Sequence, residues 1–376
     1  MAFLEDMTWR EYQDLVRLKA RETGTPAFGT FELTPLCNFN CKMCYVHLSP
    51  ERMARMGRLR TAAEWVDMAD QAQQMGMVGV TLTGGEVLTR PDFKEIYTGI
   101  TDLGLIVSVL SNASLVDEGI VDLFCRRPPA YLRFTLYGAS NETYERLCGV
   151  PDGFDRVVRG LRLLREAGVD FMLSFTETSL NIDDFDDVLR IADELGTAIV
   201  AGTEIVSAVR GAQNDADALR TDRPRFPPER ATGGRPAARP YPPAQATGAP
   251  GDDAFLKCKS YRNSFWIDWN GNMEACTFMS SCAAKPFDTG FAQAWESLLD
   301  KLSQIRLPEK CVGCSYREFC FSCPGIREAE SGSAEVICER LCDKARSLAE
   351  RIANLKKGDL HNEEEVRSTR DEALCD

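Results

Sequence analysis

One pattern recurs between residues 31 and 210: a short run rich in β-branched and aromatic residues, a polar turn, and a helical stretch. Helical patterns such as Ala62–Met75, Asp92–Leu103 and Phe154–Ala167 separate the β-rich runs. Strands that alternate with helices predict a parallel sheet, because parallel neighbours need a long crossover connection. Six units predict an α/β fold of the partial (β/α)6, TIM-like barrel type, since a closed barrel needs eight. The predicted strands are 30–36, 78–84, 106–112, 131–138, 170–177 and 198–206.

Composition excludes several classes of function. The chain has 44 basic and 57 acidic residues and a formal charge of −13, so we expect no nucleic-acid partner. The charged start does not resemble a signal peptide, and no run of about 18 apolar residues predicts a membrane span. We therefore expect a cytoplasmic protein. In a reducing compartment its 15 cysteines predict metal binding or redox chemistry, not disulfides.

Shifts in composition divide the chain into five segments. The segment 211–253 is rich in Pro, Ala and Gly, which predicts a flexible linker or insertion. Cysteines return densely after it, and Asn270-Gly271 predicts the turn of a hairpin. The predicted segments are 1–29, a helical extension; 30–210, the partial barrel; 211–253, the linker; 254–345, a cysteine-rich domain; and 346–376, a charged helix and disordered tail.

Three cysteines follow the first predicted strand within the stretch "CNFNCKMC". Cys37, Cys41 and Cys44 are one thiolate short of the four that a structural zinc site or an iron–sulfur cluster normally takes. A cluster held by three cysteines leaves one iron free to bind something else. The alternative is a structural zinc site completed by a distant ligand such as Cys125 or Cys148.

The second predicted strand ends in "TGGEVL". Gly84 and Gly85 allow the backbone to approach a ligand and to expose its amides, and Glu86 adds a carboxylate suited to an ammonium group. The carboxyl ends of parallel strands meet at one edge of the sheet, so this turn and the cysteine loop are predicted to be neighbours.

Together, these two motifs resemble those of the radical S-adenosylmethionine (radical SAM) enzymes over roughly residues 30–210. The resemblance implies that Cys37, Cys41 and Cys44 hold a [4Fe–4S] cluster whose fourth iron binds SAM. It also implies that Glu86 and the backbone of Gly84 and Gly85 receive the methionine ammonium of SAM. The remaining positions that it implies for SAM are Tyr45 near the adenine, Ser111 and Asn112 at the ribose, and Arg146 at the carboxylate. Without the resemblance, Ser111 and Asn112 would be a strand-end cap and Arg146 a surface charge.

The cysteines after residue 257 have the order C-x12-G-x4-C, then C-x2-C-x5-C-x2-C, then a last cysteine. Spacing alone also allows zinc knuckles. The order is similar to the SPASM extension of radical SAM enzymes, although the last internal gap is two residues instead of three. The resemblance implies one or two auxiliary [4Fe–4S] clusters. Cluster I would take Cys258, Cys276 and Cys323, with Cys282 as a candidate fourth ligand; cluster II would take Cys311, Cys314, Cys320 and Cys342, with Cys338 as the competitor for the last place.

The resemblance also implies a reaction: reductive cleavage of SAM to a 5′-deoxyadenosyl radical, which abstracts a hydrogen atom from the substrate. The expected substrate is a ribosomally made peptide or protein that receives a crosslink-type modification. The expected partners are a flavodoxin or ferredoxin as electron donor and, for a leader peptide, a separate binding protein. Tyr137 stands where sulfatase-maturing members carry an Asp, which argues against that activity and makes Tyr137 a candidate for acid–base work or substrate contact.

Two other functions stay open at this point. One is a radical SAM oxidase or epimerase of a small molecule such as a sugar or a tetrapyrrole precursor. The other is a non-catalytic iron–sulfur electron carrier or zinc scaffold, against which the Gly84-Gly85-Glu86 motif argues, because a carrier needs no ammonium pocket.

Overall fold

A computed structural model describes residues 9–221, 258, 260–320 and 323–353. Most of the predicted linker 211–253 lies outside these ranges, and so does the predicted tail beyond residue 353. None of the helices in the described part of the chain has the length and apolar character that crossing a membrane requires.

The centre of the molecule is an eight-stranded sheet with the order β6-β5-β4-β3-β2-β1-β7-β8. All neighbours pair in parallel except β7 and β8, which are antiparallel. The six predicted strands are therefore confirmed, as is an open sheet rather than a closed barrel. The bounds are β1 Phe28–Glu32, β2 Gly79–Thr83, β3 Ile106–Ser111, β4 Tyr131–Thr135, β5 Met172–Thr176, β6 Ile199–Gly202, β7 Ser264–Ile267 and β8 Met273–Glu274.

Helices connect the parallel strands, as the alternating pattern predicts. In α3, for example, Thr61 and Glu64 form a reciprocal capping box at the N-terminus, and Trp65 packs into the core. The helices are α1 Trp9–Thr23, α2 Pro50–Met56, α3 Ala62–Gln74, α4 Phe93–Asp102, α5 Glu118–Arg126, α6 Asn141–Cys148, α7 Gly153–Glu166, α8 Phe185–Glu194, α9 Ala216–Leu219, α10 Pro286–Thr289, α11 Phe291–Ser303, α12 Pro324–Ser331 and α13 339–353.

Side chains alternate between two faces along each strand. In β4, Leu132 and Phe134 are buried in the core, whereas Arg133 points to the other face and is half-buried. We call this second face the open face of the sheet. Over β1, β2 and β3 it lines a cavity of about 290 Å3, with Thr30, Thr81 and others along its wall.

The hairpin β7–β8 turns at Asn270-Gly271, as predicted, and Gly271 has φ of 86°. The carboxylate of Asp268 accepts hydrogen bonds from the backbone amides of Asn270 and Asn272 and so holds the turn. The position of the hairpin was not predicted: β7 pairs with β1 and extends the main sheet.

The chain forms two compact units. The first comprises residues 1–241 and 260–304 and contains the whole sheet. The second comprises residues 242–259 and 305–376; its described part contains α12 and α13, and the Arg327 guanidinium there donates to the carbonyl oxygen of Ala334 at 2.6 Å.

Candidate functional site

The cysteine loop, residues 33–48, follows β1 and is anchored before and within its cysteine stretch. The amide of Leu33 donates to the carbonyl of Thr83 at the end of β2. Further along, the amides of Asn40 and Lys42 donate to carbonyls at the C-terminus of α6, at 2.9 Å each. Since the last carbonyls of a helix have no partner within it, this contact satisfies both the helix end and the loop.

The three loop thiols lie close enough to influence one another. Burial raises the pKa of Cys37 well above its usual range, and Cys41 and Cys44 add smaller effects in the same direction. Burial likewise raises the pKa of Cys44 to about 11. As free groups these thiols would be neutral, whereas metal binding needs thiolates and supplies the positive charge that stabilises them.

This donor set fits a cluster better than a single ion. Within the described ranges, no group of three or more His, Cys, Asp or Glu side chains is arranged to hold one metal ion. A cluster of several irons spreads its thiolates over separate metal atoms, so three thiols on one loop suit it. The assignment of Cys37, Cys41 and Cys44 as ligands stays a prediction from the motif.

Gly84 and Gly85 are explained by the approach of the cysteine loop. A Cβ on Gly84 would lie 2.5 Å from the carbonyl oxygen of Thr34, and one on Gly85 would lie 2.4 Å from that of Leu36. The amides of Gly85 and Glu86 donate to these same two oxygens, at 2.7 and 2.9 Å. The cysteine loop therefore takes the Gly85 amide, which the sequence led us to expect exposed to a ligand. Contact of the Gly84-Gly85 backbone with SAM stays a prediction.

Glu86 joins the ends of β2 and β3. Its Oε1 accepts hydrogen bonds from the hydroxyl of Ser111 and the amide of Leu88, and its Oε2 accepts one from the amide of Asn112, at 2.6 to 2.9 Å. Burial raises the pKa of this carboxyl, and the three donors oppose that effect. Because a carboxylate has about four acceptor sites, roughly one site on Oε2 is left for a ligand ammonium.

Asn112 also contacts the cysteine loop. Its amide nitrogen lies 3.8 Å from Cys37 Sγ and donates to Asn38 Oδ1 at 3.0 Å. The structure therefore brings the predicted cluster ligands and the predicted SAM-contacting residues Glu86, Ser111 and Asn112 to one edge of the sheet. Their contacts with SAM itself stay a prediction.

Tyr45 belongs to the cysteine loop, and Tyr137 lies beside it. The Tyr45 ring packs against Phe278 with centroids 4.9 Å apart, and its carbonyl accepts the amide of Val209. Contact with Cys148 and burial raise the pKa of Cys41, and the Tyr137 hydroxyl at the same thiol lowers it. A catalytic role for Tyr137 stays a prediction.

Arg146 is more exposed than the other predicted SAM contacts. Its side chain is 41% exposed, forms an i,i+4 ion pair with Glu142 and donates to the carbonyl of Leu180. Its predicted pairing with the carboxylate of SAM stays a prediction. Of the two alternative ligands, Cys125 is exposed, whereas Cys148 is buried and its thiol contacts Cys41.

In the second unit, several predicted cluster ligands lie near one another. Burial raises the pKa of Cys342, and the neighbouring charges of Glu339, Cys311 and Cys320 raise it further. Burial also raises the pKa of Cys311, to which Cys320 and Cys314 contribute. Cys338 also lies in this neighbourhood, since it acts on Arg327 together with Cys311 and Cys320, so the choice of Cys342 as the fourth thiol of cluster II stays a prediction. The predicted ligands of cluster I, which are Cys258, Cys276, Cys282 and Cys323, are not tested by the geometry.

Sequence reasoning missed a buried charge cluster in the first unit. Arg210, in the loop after β6, lies 2.5 Å from Glu32 at the end of β1 and 3.3 Å from Glu274 on β8. Its Nε is 4.0 Å from Asp268, and its Nη1 donates to the carbonyl of Thr277. The Arg210 side chain is 9% exposed, and those of the three acids are at most 2% exposed. Arg210 thus connects the loop that follows β6, at one edge of the open sheet, to β8 at the other edge.

Within this cluster, Glu32 shows the effect of burial on a carboxyl group. Burial raises its pKa to about 7, although the attraction of Arg210 lowers it. Its Oε2 accepts a hydrogen bond from Trp266 at 3.2 Å, while its buried Oε1 has no hydrogen-bond partner in the described residues. A charged residue at the end of an otherwise apolar strand was the signal in the sequence.

Comparisons with known proteins agree with these motifs. Residues 31–195 match the Radical SAM superfamily. The chain is similar to the AdoMet-dependent heme synthase of Methanosarcina barkeri, with 27% identity over 82% of this chain and 94% of that protein. It is also similar to the PqqA peptide cyclase of Gluconobacter oxydans, with 28% identity over 45% of this chain and 46% of that protein.

Among solved structures, that of SuiB from Streptococcus suis bound to S-adenosylmethionine has a TM-score of 0.63 at 16% identity and covers 90% of this chain and 84% of that one. SuiB bound to its precursor peptide SuiA has a TM-score of 0.61 at 14% identity and covers 89% of this chain and 80% of that one. Identities this low show a shared fold alone.

Proposed function

The chain carries a domain of the Radical SAM superfamily at residues 31–195, and from this premise we propose that it is an enzyme that oxidatively modifies its substrate by hydrogen-atom abstraction. A bound [4Fe–4S] cluster and SAM would supply the 5′-deoxyadenosyl radical. The observation that carries the proposal is the packing of the cysteine loop on the Gly84-Gly85-Glu86 turn, which joins the two motifs at one edge of the sheet.

The residues of this edge would position the cofactors. Cys37, Cys41 and Cys44 would ligate the cluster, and the remaining acceptor site of Glu86 would take the methionine ammonium. Asn112 would orient Cys37 through its side-chain amide, because groups that bond to a ligand atom fix its direction. The loop after β6 bonds to Tyr45 and Met43, which helps to shield this edge from water.

We propose a ribosomally made peptide or protein as the substrate. The half-length similarity to a PqqA peptide cyclase and the fold shared with SuiB support this class. The auxiliary clusters proposed for the later cysteines would accept the electron that the product radical loses when it is oxidised. A flavodoxin or ferredoxin would reduce the SAM-binding cluster, and oxygen-sensitive clusters predict an anaerobic or microaerobic, cytoplasmic setting.

A tetrapyrrole is the second candidate substrate. The observation that favours it is the similarity to AdoMet-dependent heme synthases, which extends over 94% of the Methanosarcina protein instead of about half. Both candidates begin with the same radical chemistry and differ in the substrate that is bound.

The chemistry is tested by anaerobic reconstitution with iron and sulfide, followed by SAM and dithionite. We expect wild-type protein to form 5′-deoxyadenosine and Cys41→Ala to form none, while Cys125→Ala, an exposed thiol outside the motif, keeps wild-type activity. Iron-loaded wild-type protein that forms no 5′-deoxyadenosine would overturn the proposal. A neighbouring gene for a short Cys-rich or repeat-bearing peptide would favour the first substrate class.

A further inference from the structure

Arg133 is a cation on the open face with no counter-ion among the residues that the structure describes. Its position in the middle of β4 places it between Leu110 of β3 and Met172 of β5. The neighbouring Leu132 and Phe134 point to the opposite face and are buried, so Arg133 projects away from the core. Among the described residues it makes no hydrogen bond and no ion pair.

The contrast with Arg210 makes this feature informative. Arg210 is matched by three carboxylates, whereas Arg133 is half-buried without one. A guanidinium does not lose its proton, and a poorly hydrated charge is costly unless it is paired. In the described part of the chain no carboxylate neutralises this positive charge, which a bound anion would do.

The surroundings of Arg133 indicate a binding surface. In the sheet register, Glu32 on β1 lies beside Thr83 on β2, and Arg133 on β4 lies beside Leu110 on β3. Glu32 and Arg133 are therefore about three strand spacings, or roughly 14 Å, apart. Glu32 is thus too distant to neutralise Arg133. Beyond Arg133, the hydroxyls of Thr135 and Ser174 bond to each other at 3.2 Å and continue the polar face.

Arg133 lies close to the edge of the sheet at which the two motifs meet, because it pairs with Leu110, the residue before Ser111. An anion held by Arg133 would therefore lie near that edge. The predicted SAM contacts Glu86, Ser111 and Asn112 lie at strand ends, whereas Arg133 is two residues, or roughly 7 Å, below the end of β4.

We propose that Arg133 binds a carboxylate of the substrate on the open face of the sheet. The planar fork of its guanidinium matches a carboxylate through two parallel hydrogen bonds, and a single cation neutralises a single carboxylate. The inference rests on the proposed radical SAM function and adds a requirement for the substrate: an acidic side chain or terminus of a peptide, or a carboxylate arm of a tetrapyrrole.

Binding to reconstituted protein with SAM present tests this without turnover. The probes are coproporphyrin III with its tetraamide, and a short peptide containing one Glu with its Gln counterpart. We expect wild type to bind the acid of one pair at least about tenfold more tightly than the amide, and Arg133→Gln to lose that difference. Arg133→Lys, which keeps the charge but not the fork, should retain part of it. Arg190→Gln, an exposed arginine on α8, should behave as wild type.

The two pairs of probes separate the two sources of carboxylate. Preference for the acidic porphyrin identifies a tetrapyrrole, and preference for the Glu peptide identifies a peptide. The inference is overturned if wild type prefers neither acid, if Arg133→Gln keeps the preference, or if Arg133→Gln binds labelled SAM at least tenfold more weakly, since the partner would then be SAM. Formation of 5′-deoxyadenosine by wild type, measured separately, shows whether the proposed function itself holds.

Discussion

Replacing Gly85 by Ala should push the cysteine loop off the end of β2. The new Cβ would lie 2.4 Å from the carbonyl oxygen of Leu36, 2.7 Å from its carbonyl carbon and 2.9 Å from the carbonyl oxygen of Pro35. All three atoms belong to the backbone, so no side-chain rotation can relieve the overlap. The loop must retreat by roughly 1 Å to reach ordinary contact distance.

Two costs add up in this variant. Overpacking at a tight site costs about 1 to 3 kcal/mol, and the hydrogen bond from the Glu86 amide to Leu36 is worth about 1 kcal/mol when it is stretched or lost. We therefore expect Gly85→Ala to lower the free energy of unfolding by about 2 to 4 kcal/mol. The displaced loop should also weaken iron binding by about tenfold or more, as changes behind metal ligands commonly do.

Urea denaturation measures the free energy of unfolding. Iron content and electron paramagnetic resonance after anaerobic reconstitution measure iron binding. Gly202→Ala is the matched control, because no atom lies within 4 Å of the Cβ that it would add. If Gly85→Ala unfolds within about 0.5 kcal/mol of this control and binds the same amount of iron, the glycine is not needed for the approach of the loop and the reasoning fails.

Three further predictions concern the buried acids and the later cysteines. Arg210→Met should lower the free energy of unfolding by about 3 to 5 kcal/mol in urea denaturation, because it leaves buried carboxylates unpaired; a loss under about 1 kcal/mol would contradict this. Since the folded pKa of Glu32 is about 7, above the ordinary 4.5, its stabilising contribution should be complete below pH 4.5 and lost, by roughly 3 kcal/mol, as pH rises through 7. Glu32→Gln should flatten that part of the pH profile of stability, and an unchanged slope would disprove the assignment. Cys342→Ser should remove about four irons per chain and Cys338→Ser none; the reverse result would make Cys338 the ligand.

The strand pattern could be predicted from the sequence because it is local. In β4, the alternation of apolar and polar residues in "YLRFT" agrees with the strand and with the two faces that the structure shows. The pairing of β7 with β1 is not local, and nothing within "SFWI" states which strand it will join. The hairpin was therefore predicted correctly and its place in the sheet was missed.

The candidate functional site was likewise predicted only in part. The position of both motifs at strand ends predicted that the cysteine loop and the Gly84-Gly85 turn meet, and they do. It could not tell which partner takes the turn's amides, because a ligand and a neighbouring loop both require glycine at close approach. The cluster around Arg210 escaped prediction because its acids lie on β1, after β7 and on β8, which only the fold brings together.

The central position of β1 has a consequence for how the protein is made. Glu32 at the end of β1 and Trp266 on β7 are 234 residues apart in the chain, which ribosomes need roughly 10 to 50 s to synthesise. During that interval one side of β1 is an unpaired strand edge, the kind of surface that invites aggregation. We expect nascent chains that stop before residue 264 to need chaperones, because the hairpin that covers this edge has not yet been made.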